Sequence, residues 1–143
     1  MHIVRSFPKD DAAQVGWAAR TLLVSVEADP ASARRLAGLG ARIECCGDLY
    51  TALSVVMEDP GLADLLVVDC DGLGGLAEVR RIVRLMGEVA ERAPVILVSA
   101  EATEQTFSMA RLEPTILRAP LSAVALRVAF EHVLRGKVVP RFA

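Results

Sequence analysis

The sequence has few aromatic residues and no excess of positive charge. One Trp, one Tyr and four Phe account for 4% of the 143 residues, and the formal net charge at pH 7 is −2. Proteins that bind nucleic acid directly use a basic surface and aromatic side chains on which bases stack. The composition therefore argues against direct nucleic-acid binding.

Long apolar segments and regularly spaced cysteines are also lacking. No stretch approaches the roughly 18 uninterrupted apolar residues of a transmembrane helix, and the first residues, Met1 to Ser6, do not resemble a signal peptide. Cys45, Cys46 and Cys70 have neither metal-binding spacing nor the pattern of a disulfide framework. We therefore expect a soluble, cytoplasmic protein in which the cysteines are structural.

Three aliphatic runs are present, and each ends on a polar residue. They are residues 22–26 before Glu27, residues 65–68 before Asp69 and residues 95–98 before Ser99. Runs made almost entirely of Val, Leu and Ile, interrupted here only by Ser25, are typical of parallel strands that helices bury on both faces. The functional crevice of an open parallel sheet lies outside the carboxyl ends of its strands, so we expect Glu27, Asp69 and Ser99 to converge on one site.

Segments with helical periodicity separate these runs, which predicts one doubly wound α/β domain with a single five-stranded parallel sheet. Two further short strands are expected at residues 42–45 and 115–117. Five helices are expected: one opened by Asp29 as N-cap with Pro30 at its first position, and others at residues 49–58, 75–92, 101–112 and 121–134. We divide the chain into an N-terminal extension (1–20), a domain (21–136) and a C-terminal tail (137–143).

Four segments of this pattern occur in a familiar order: Glu-Ala-Asp-Pro at 27–30, the strand at 64–69, the strand with its Ser at 94–101, and Ala-Pro-Leu at 119–121. The arrangement resembles the receiver domain of bacterial two-component response regulators, over about residues 21–136. The resemblance implies a flavodoxin-like sheet with strand order 2-1-3-4-5.

The resemblance also implies roles for the strand-end residues. A receiver accepts a phosphoryl group from a sensor histidine kinase onto an Asp after the third strand, the position of Asp69. Acidic residues after the first strand hold Mg²⁺, and Glu27 matches one of them. A Ser or Thr after the fourth strand binds the phosphoryl oxygen and draws its loop inward, and Ser99 matches that residue.

The sequence departs from the receiver pattern at positions that matter for phosphoryl transfer. Ala28 replaces the second acid, so any Mg²⁺ binding is expected to be weakened, and Asp71 is a candidate substitute ligand. Ala119 replaces the Lys before the Pro, and Arg118 is one residue early, where strand alternation points it away from the site. We therefore expect phosphorylation of Asp69 to be possible but impaired.

The last predicted helix has apolar residues on two sides. One side carries Leu121, Val124 and Val128; the other carries Leu126, Phe130, Val133 and Leu134. We predict that the first set packs on the sheet and that the second set forms a homodimer interface. The alternative is that the N-terminal extension covers the free side.

These observations predict a non-enzymatic, atypical, stand-alone receiver that acts by protein–protein contact with a sensor histidine kinase or another signalling protein. A phosphorylation-independent receiver-like adaptor or dimerisation module is the first alternative. A small nucleotide- or flavin-binding domain is the second, although Glu27 and Asp29 would repel a phosphate placed after the first strand.

Overall fold

Six strands form one sheet in the computed structural model, which describes residues 2–3, 19–27, 30–59, 61–107 and 113–134. The strands are β1 (His2–Ile3), β2 (Arg20–Val24), β3 (Arg42–Cys46), β4 (Leu65–Asp69), β5 (Val95–Ser99) and β6 (Thr115–Arg118). Their order is β1-β3-β2-β4-β5-β6, with β2 to β6 parallel. The five parallel strands thus have the predicted order 2-1-3-4-5, which confirms the flavodoxin-like α/β fold.

Helices cover both faces of the sheet. They are α1 (Ala31–Gly38), α2 (Leu49–Glu58), α3 (Leu76–Leu85), α4 (Gly87–Arg92) and α5 (Ala123–Leu134). One core layer joins α2, α3 and α4 to one face, and the other joins α1 and α5 to the opposite face. Strand β4 is buried along Leu65 to Val68 because both layers pack on it, which explains its unbroken aliphatic sequence.

Three residues of the predicted N-terminal extension belong to the sheet: His2 and Ile3 in β1, and Arg20 as the first residue of β2. His2 and Ile3 pair antiparallel with Cys46 and Cys45, so β1 lies along the outer edge of β3. A two-residue strand gives too short a pattern for period-2 analysis, and the sequence did not predict it.

The predicted helix at 75–92 is divided into two. Helix α3 ends at Leu85, Met86 has non-helical torsion angles (φ −101°, ψ 52°), and α4 begins at Gly87. Glycine is a poor helix former, so a break costs least at this position. The first helix also begins one residue later than expected, because Pro30 is the N-cap and Ala31 the first helical residue; Asp29 lies outside the described residues.

The helix predicted at 101–112 is not present over residues 101–107. Instead, Thr106 forms an isolated antiparallel bridge with Ile116 of β6. Residues 108–112 lie outside the described part of the chain. This segment contains Thr103, Thr106 and Phe107, which have lower helix propensity than the Leu, Ala, Glu and Arg residues of α3.

Helix α5 packs with the side opposite to the one predicted, so the proposed interface set was wrong. Leu126 and Phe130 are 0% exposed and Leu134 is buried, while Val133 is half-buried against the same core layer. Of the set predicted to pack on the sheet, Val124 and Val128 are instead 72% and 47% exposed, whereas Leu121, which precedes the helix, is buried as predicted. The larger side chains fill the core because they bury more apolar surface than valine does.

None of the helices in the described residues is long and apolar enough to cross a membrane.

Candidate functional site: a crevice at the carboxyl edge of the sheet

The ends of β2, β4 and β6 and the first turns of α1 enclose a crevice of about 280 Å³. Its polar and charged lining residues are Ser25, Glu27, Ser32, Arg35, Asp69 and Asp71. Three of the six are acids and one is a base. The crevice therefore combines excess negative charge with hydroxyl groups at the edge where parallel sheets bind ligands.

Asp69, the last residue of β4, is half-buried in this crevice. Its Oδ1 accepts a hydrogen bond from Ser32 Oγ at 3.3 Å. Burial raises the pKa of the Asp69 carboxyl above its usual value; hydrogen bonds from Ser25 and Ser32 oppose that rise, and the charges of Glu27 and Asp71 add to it. The pocket therefore favours the neutral form of Asp69 more than water does.

Asp71 lies two residues further, in the single 3₁₀ turn Cys70–Gly72 that follows β4. Its Oδ1 accepts a hydrogen bond from Ser99 Oγ at 2.5 Å, and its Oδ2 accepts one from the Ala100 amide at 2.8 Å. Both oxygens of this carboxylate thus contact the loop that follows β5.

Glu27 and Ser99 occupy different environments. Glu27 is exposed at the rim of the crevice, where its amide donates to Ser25 Oγ at 3.2 Å. Ser99 is completely buried and is connected to the crevice through Asp71 rather than lining it. Glu27, Asp69 and Asp71 therefore share one cavity, and Ser99 lies behind it.

Arg118, the last residue of β6, points away from the crevice. Arg118 Nε donates to the Ala102 carbonyl at 3.1 Å, and its guanidinium also bonds the Thr103 carbonyl. Ala119 lines the cavity instead, next to a cis peptide bond with Pro120. Alternation of side chains along the strand explains why Arg118 and Ala119 face different directions.

The acids of the crevice are the candidates for the predicted Mg²⁺ site. Among the described residues, no group of three potential ligand side chains is placed to hold a metal ion, and both Asp71 oxygens accept hydrogen bonds. Ala28 and Asp29 lie outside the described residues.

Ser25, Ser32 and Arg35 were not singled out from the sequence. Ser32 and Arg35 are three residues apart on α1 and so lie on one face of that helix, and Arg35 is the one basic side chain among the described lining residues. Their spacing can be read from the sequence. The sequence does not indicate that this face of α1 covers the strand ends.

The sheet order, the helices on both faces and an Asp at the carboxyl end of the central strand together define a receiver-like domain. A response regulator receiver domain protein from Clostridium thermocellum matches with a TM-score of 0.63 and 18% identity, over 83% of this chain and 97% of that one. This likeness shows the fold.

Two further solved structures have the same fold. A protein described as a pilus assembly protein, CpaE, from Burkholderia thailandensis matches with a TM-score of 0.59 and 27% identity, over 82% of this chain and 98% of that one. A protein described as pilus assembly-related, from Burkholderia pseudomallei, matches with a TM-score of 0.62 and 21% identity, over 89% and 96%. No family model and no curated protein sequence matches the chain.

Proposed function

We propose that this protein is an atypical receiver domain of two-component signalling that acts by protein–protein contact and in which phosphorylation of Asp69 is impaired. The observation that supports the impairment most directly is the missing cation: Ala119 lines the crevice while Arg118 binds backbone carbonyls elsewhere. Transfer of a phosphoryl group depends on neutralising the charge on its oxygens. Three acids and one peripheral Arg supply little of that neutralisation.

Adding the missing cation tests the impairment. We expect Ala119→Lys to increase labelling of Asp69 by acetyl phosphate with Mg²⁺ roughly tenfold or more, because one well-placed charge contributes about 1.4 kcal/mol or more to the transition state. Phosphorylated protein is measured by intact mass spectrometry over time.

The control is Ala77→Lys, which adds the same charge at an exposed position of α3 outside the crevice lining. It should label no faster than the wild type. Rapid, stoichiometric labelling of the wild-type protein that is abolished in Asp69→Asn would contradict the proposed impairment.

We further propose that the protein forms a homodimer through α5. Val124 and Val128 form an exposed apolar strip one turn apart, beside an Arg127–Glu131 ion pair of 3.6 Å. Two antiparallel copies of this helix, related by a two-fold axis, can place Arg127 of each chain near the Glu131 position of the other. The charges beside the strip on one chain are thus complementary to those beside the strip on a second copy. The net charge of −2 favours protein over nucleic acid as partner.

A phosphorylation-independent adaptor in pilus assembly is the second candidate. Two of the three matched structures are described as pilus assembly proteins, one of them at 27% identity. For a signalling receiver, a chromosomal Asp69→Asn substitution should change the output of the pathway. For the adaptor, the same substitution should leave surface pili unchanged, whereas Val128→Asp should reduce them.

We also propose that the protein is not an enzyme and that it resides in the cytoplasm. The crevice is lined by three acids, whose negative charge disfavours the phosphate groups of a nucleotide or flavin. Cys45, Cys46 and Cys70 are buried and form no disulfide with one another, as is usual in a reducing compartment. Burial raises the pKa of the Cys70 thiol to about 12, which makes it unreactive.

A further inference from the structure

Three hydrogen bonds join the segment between β4 and the first residue of α3 to the last residue of β5 and the two residues after it. Two are the bonds from Ser99 Oγ and the Ala100 amide to Asp71, of 2.5 and 2.8 Å. The third joins the Leu76 amide, at the start of α3, to Glu101 Oε1 at 2.9 Å. We call these five residues the acidic clasp.

The two donors that bond Asp71 are the kinds of donor that a phosphoryl oxyanion uses. One is a serine hydroxyl at the end of a strand, and the other is the next backbone amide. Ser99 Oγ also accepts a hydrogen bond from the Glu101 amide at 3.0 Å, which fixes the orientation of the hydroxyl. Hydrogen bonds to an ionised acceptor are stronger than neutral ones, so the carboxylate holds this loop firmly.

The backbone of the clasp depends on a glycine. Gly75 has φ +93°, and a Cβ atom at that position would lie 2.8 Å from Glu101 Oε1. A side chain there would both strain the backbone and displace the Glu101 carboxylate. The close approach of the two loops is therefore specified by Gly75 as well as by the two acids.

We propose that the Asp71 carboxylate takes the place of a phosphoryl group and holds residues 99–101 drawn inward without phosphorylation. This inference rests on the proposed receiver function and concerns the regulation of the same site. A ligand shifts a conformational equilibrium only through bonds that differ between the two states. Because Ser99 and Ala100 already bond Asp71, a phosphoryl group on Asp69 gains little by attracting them, and the domain remains in one state.

If Asp71 is a clasp residue, its removal should have the opposite effect on beryllofluoride binding from the removal of a metal ligand. As a clasp residue, Asp71 competes with a phosphoryl group, so removing it should improve the response to beryllofluoride with Mg²⁺. As a magnesium ligand, it would support that response, and removing it should weaken the response.

Hydrogen exchange of individual amides tests the clasp in the full chain. In Asp71→Ala we expect the Ala100 and Glu101 amides to exchange roughly tenfold faster than in the wild type, because both bonds to the carboxylate are lost and Ser99 is released. Asp71→Asn retains one acceptor oxygen and should give an intermediate rate. Exchange is measured by NMR at constant pH, with amides of the β4 core as internal reference for global stability.

Asp59→Ala is the matched control, since Asp59 Oδ1 accepts the Gly61 amide at 3.2 Å in another exposed loop. It should accelerate exchange at Gly61 and leave Ala100 unchanged. Unchanged protection of Ala100 and Glu101 in a folded Asp71→Ala protein would overturn the inference.

Adding beryllofluoride with Mg²⁺ separates this inference from the proposed function. We expect it to leave exchange at Ala100 unchanged in the wild type and to restore protection in Asp71→Ala if Asp69 is competent. Weaker beryllofluoride binding by Asp71→Ala than by the wild type would assign Asp71 to the metal and overturn the clasp. If neither protein binds beryllofluoride, the proposed impairment is supported, and the exchange rates alone decide on the clasp.

Discussion

The environment of Asp69 destabilises the charged form of its side chain and should therefore lower the stability of the domain at neutral pH. Its carboxyl is half-buried, beside the acids Glu27 and Asp71, with only two serine hydroxyls to stabilise its charge. Such environments are found where chemistry or binding, rather than folding, determines the residue. The cost should be measurable as a dependence of stability on pH.

Asp69→Asn is expected to stabilise the protein at neutral pH. The raised pKa means that the folded state binds the Asp69 proton more tightly than the unfolded state, so the wild-type free energy of unfolding falls as pH rises through the raised pKa. Below the usual pKa of 3.8 both states are protonated, and the advantage of the variant should disappear. Urea unfolding of both proteins from acidic to neutral pH measures this difference.

The control for this prediction is Asp59→Asn, which removes an exposed carboxylate outside the crevice. An Asp69→Asn advantage that is absent at neutral pH, or that grows on acidification, would contradict the assigned environment of Asp69.

Residues that end a strand could be predicted from the sequence, and residues placed by a turn or a neighbouring helix could not. Asp69 and Glu27 follow aliphatic runs, and strand direction alone brings them to one edge. The bonds of Asp71 depend on the 3₁₀ turn after β4, and the contact of Ser32 depends on how α1 lies over that edge. Neither the turn nor the packing has a periodic signature.

Helix α5 illustrates the same limit for whole elements. Periodicity separated Val124 and Val128 from the residues of the opposite side, but it wrongly grouped the buried Leu121 with them, and it contains no information on which side faces the sheet. Side-chain volume decides, since Phe130 and Leu126 fill the layer under α5 while Val124 and Val128 remain exposed. The predicted interface is therefore moved to Val124 and Val128.

Two substitutions on α5 should have opposite effects. Val128→Asp should leave the domain folded and convert a dimer to a monomer, because the charge falls on an exposed apolar strip. Phe130→Asp should unfold the domain, since even truncation of a buried Phe costs about 3–5 kcal/mol and an unpaired charge adds to that. Circular dichroism and light scattering measure folding and mass.

Leu85→Asp, at the 71% exposed end of α3, is the control for adding a charge to an exposed aliphatic position. It should change neither fold nor mass. A wild-type protein that is monomeric at tens of micromolar would contradict the dimer.

At the scale of the whole molecule, the proposed dimer would link stability to protein concentration. The wild-type unfolding temperature should rise with concentration, because mass action favours the associated folded form, whereas that of Val128→Asp should not. Calorimetry over a hundredfold range of concentration checks this. An equal, concentration-independent midpoint for both proteins would show that α5 does not hold two chains together.

Both outer strands of the parallel sheet have an antiparallel neighbour: β1 runs along β3, and Thr106 pairs with Ile116 of β6. Free edge strands are templates on which another polypeptide can add a strand, either as a bound peptide or as an aggregate. Here those backbone groups are partly occupied by the chain itself. Binding by strand addition is thereby disfavoured. We expect a partner to contact side chains on the helices and loops instead. The specificity of such binding depends on residue identity rather than on backbone pairing.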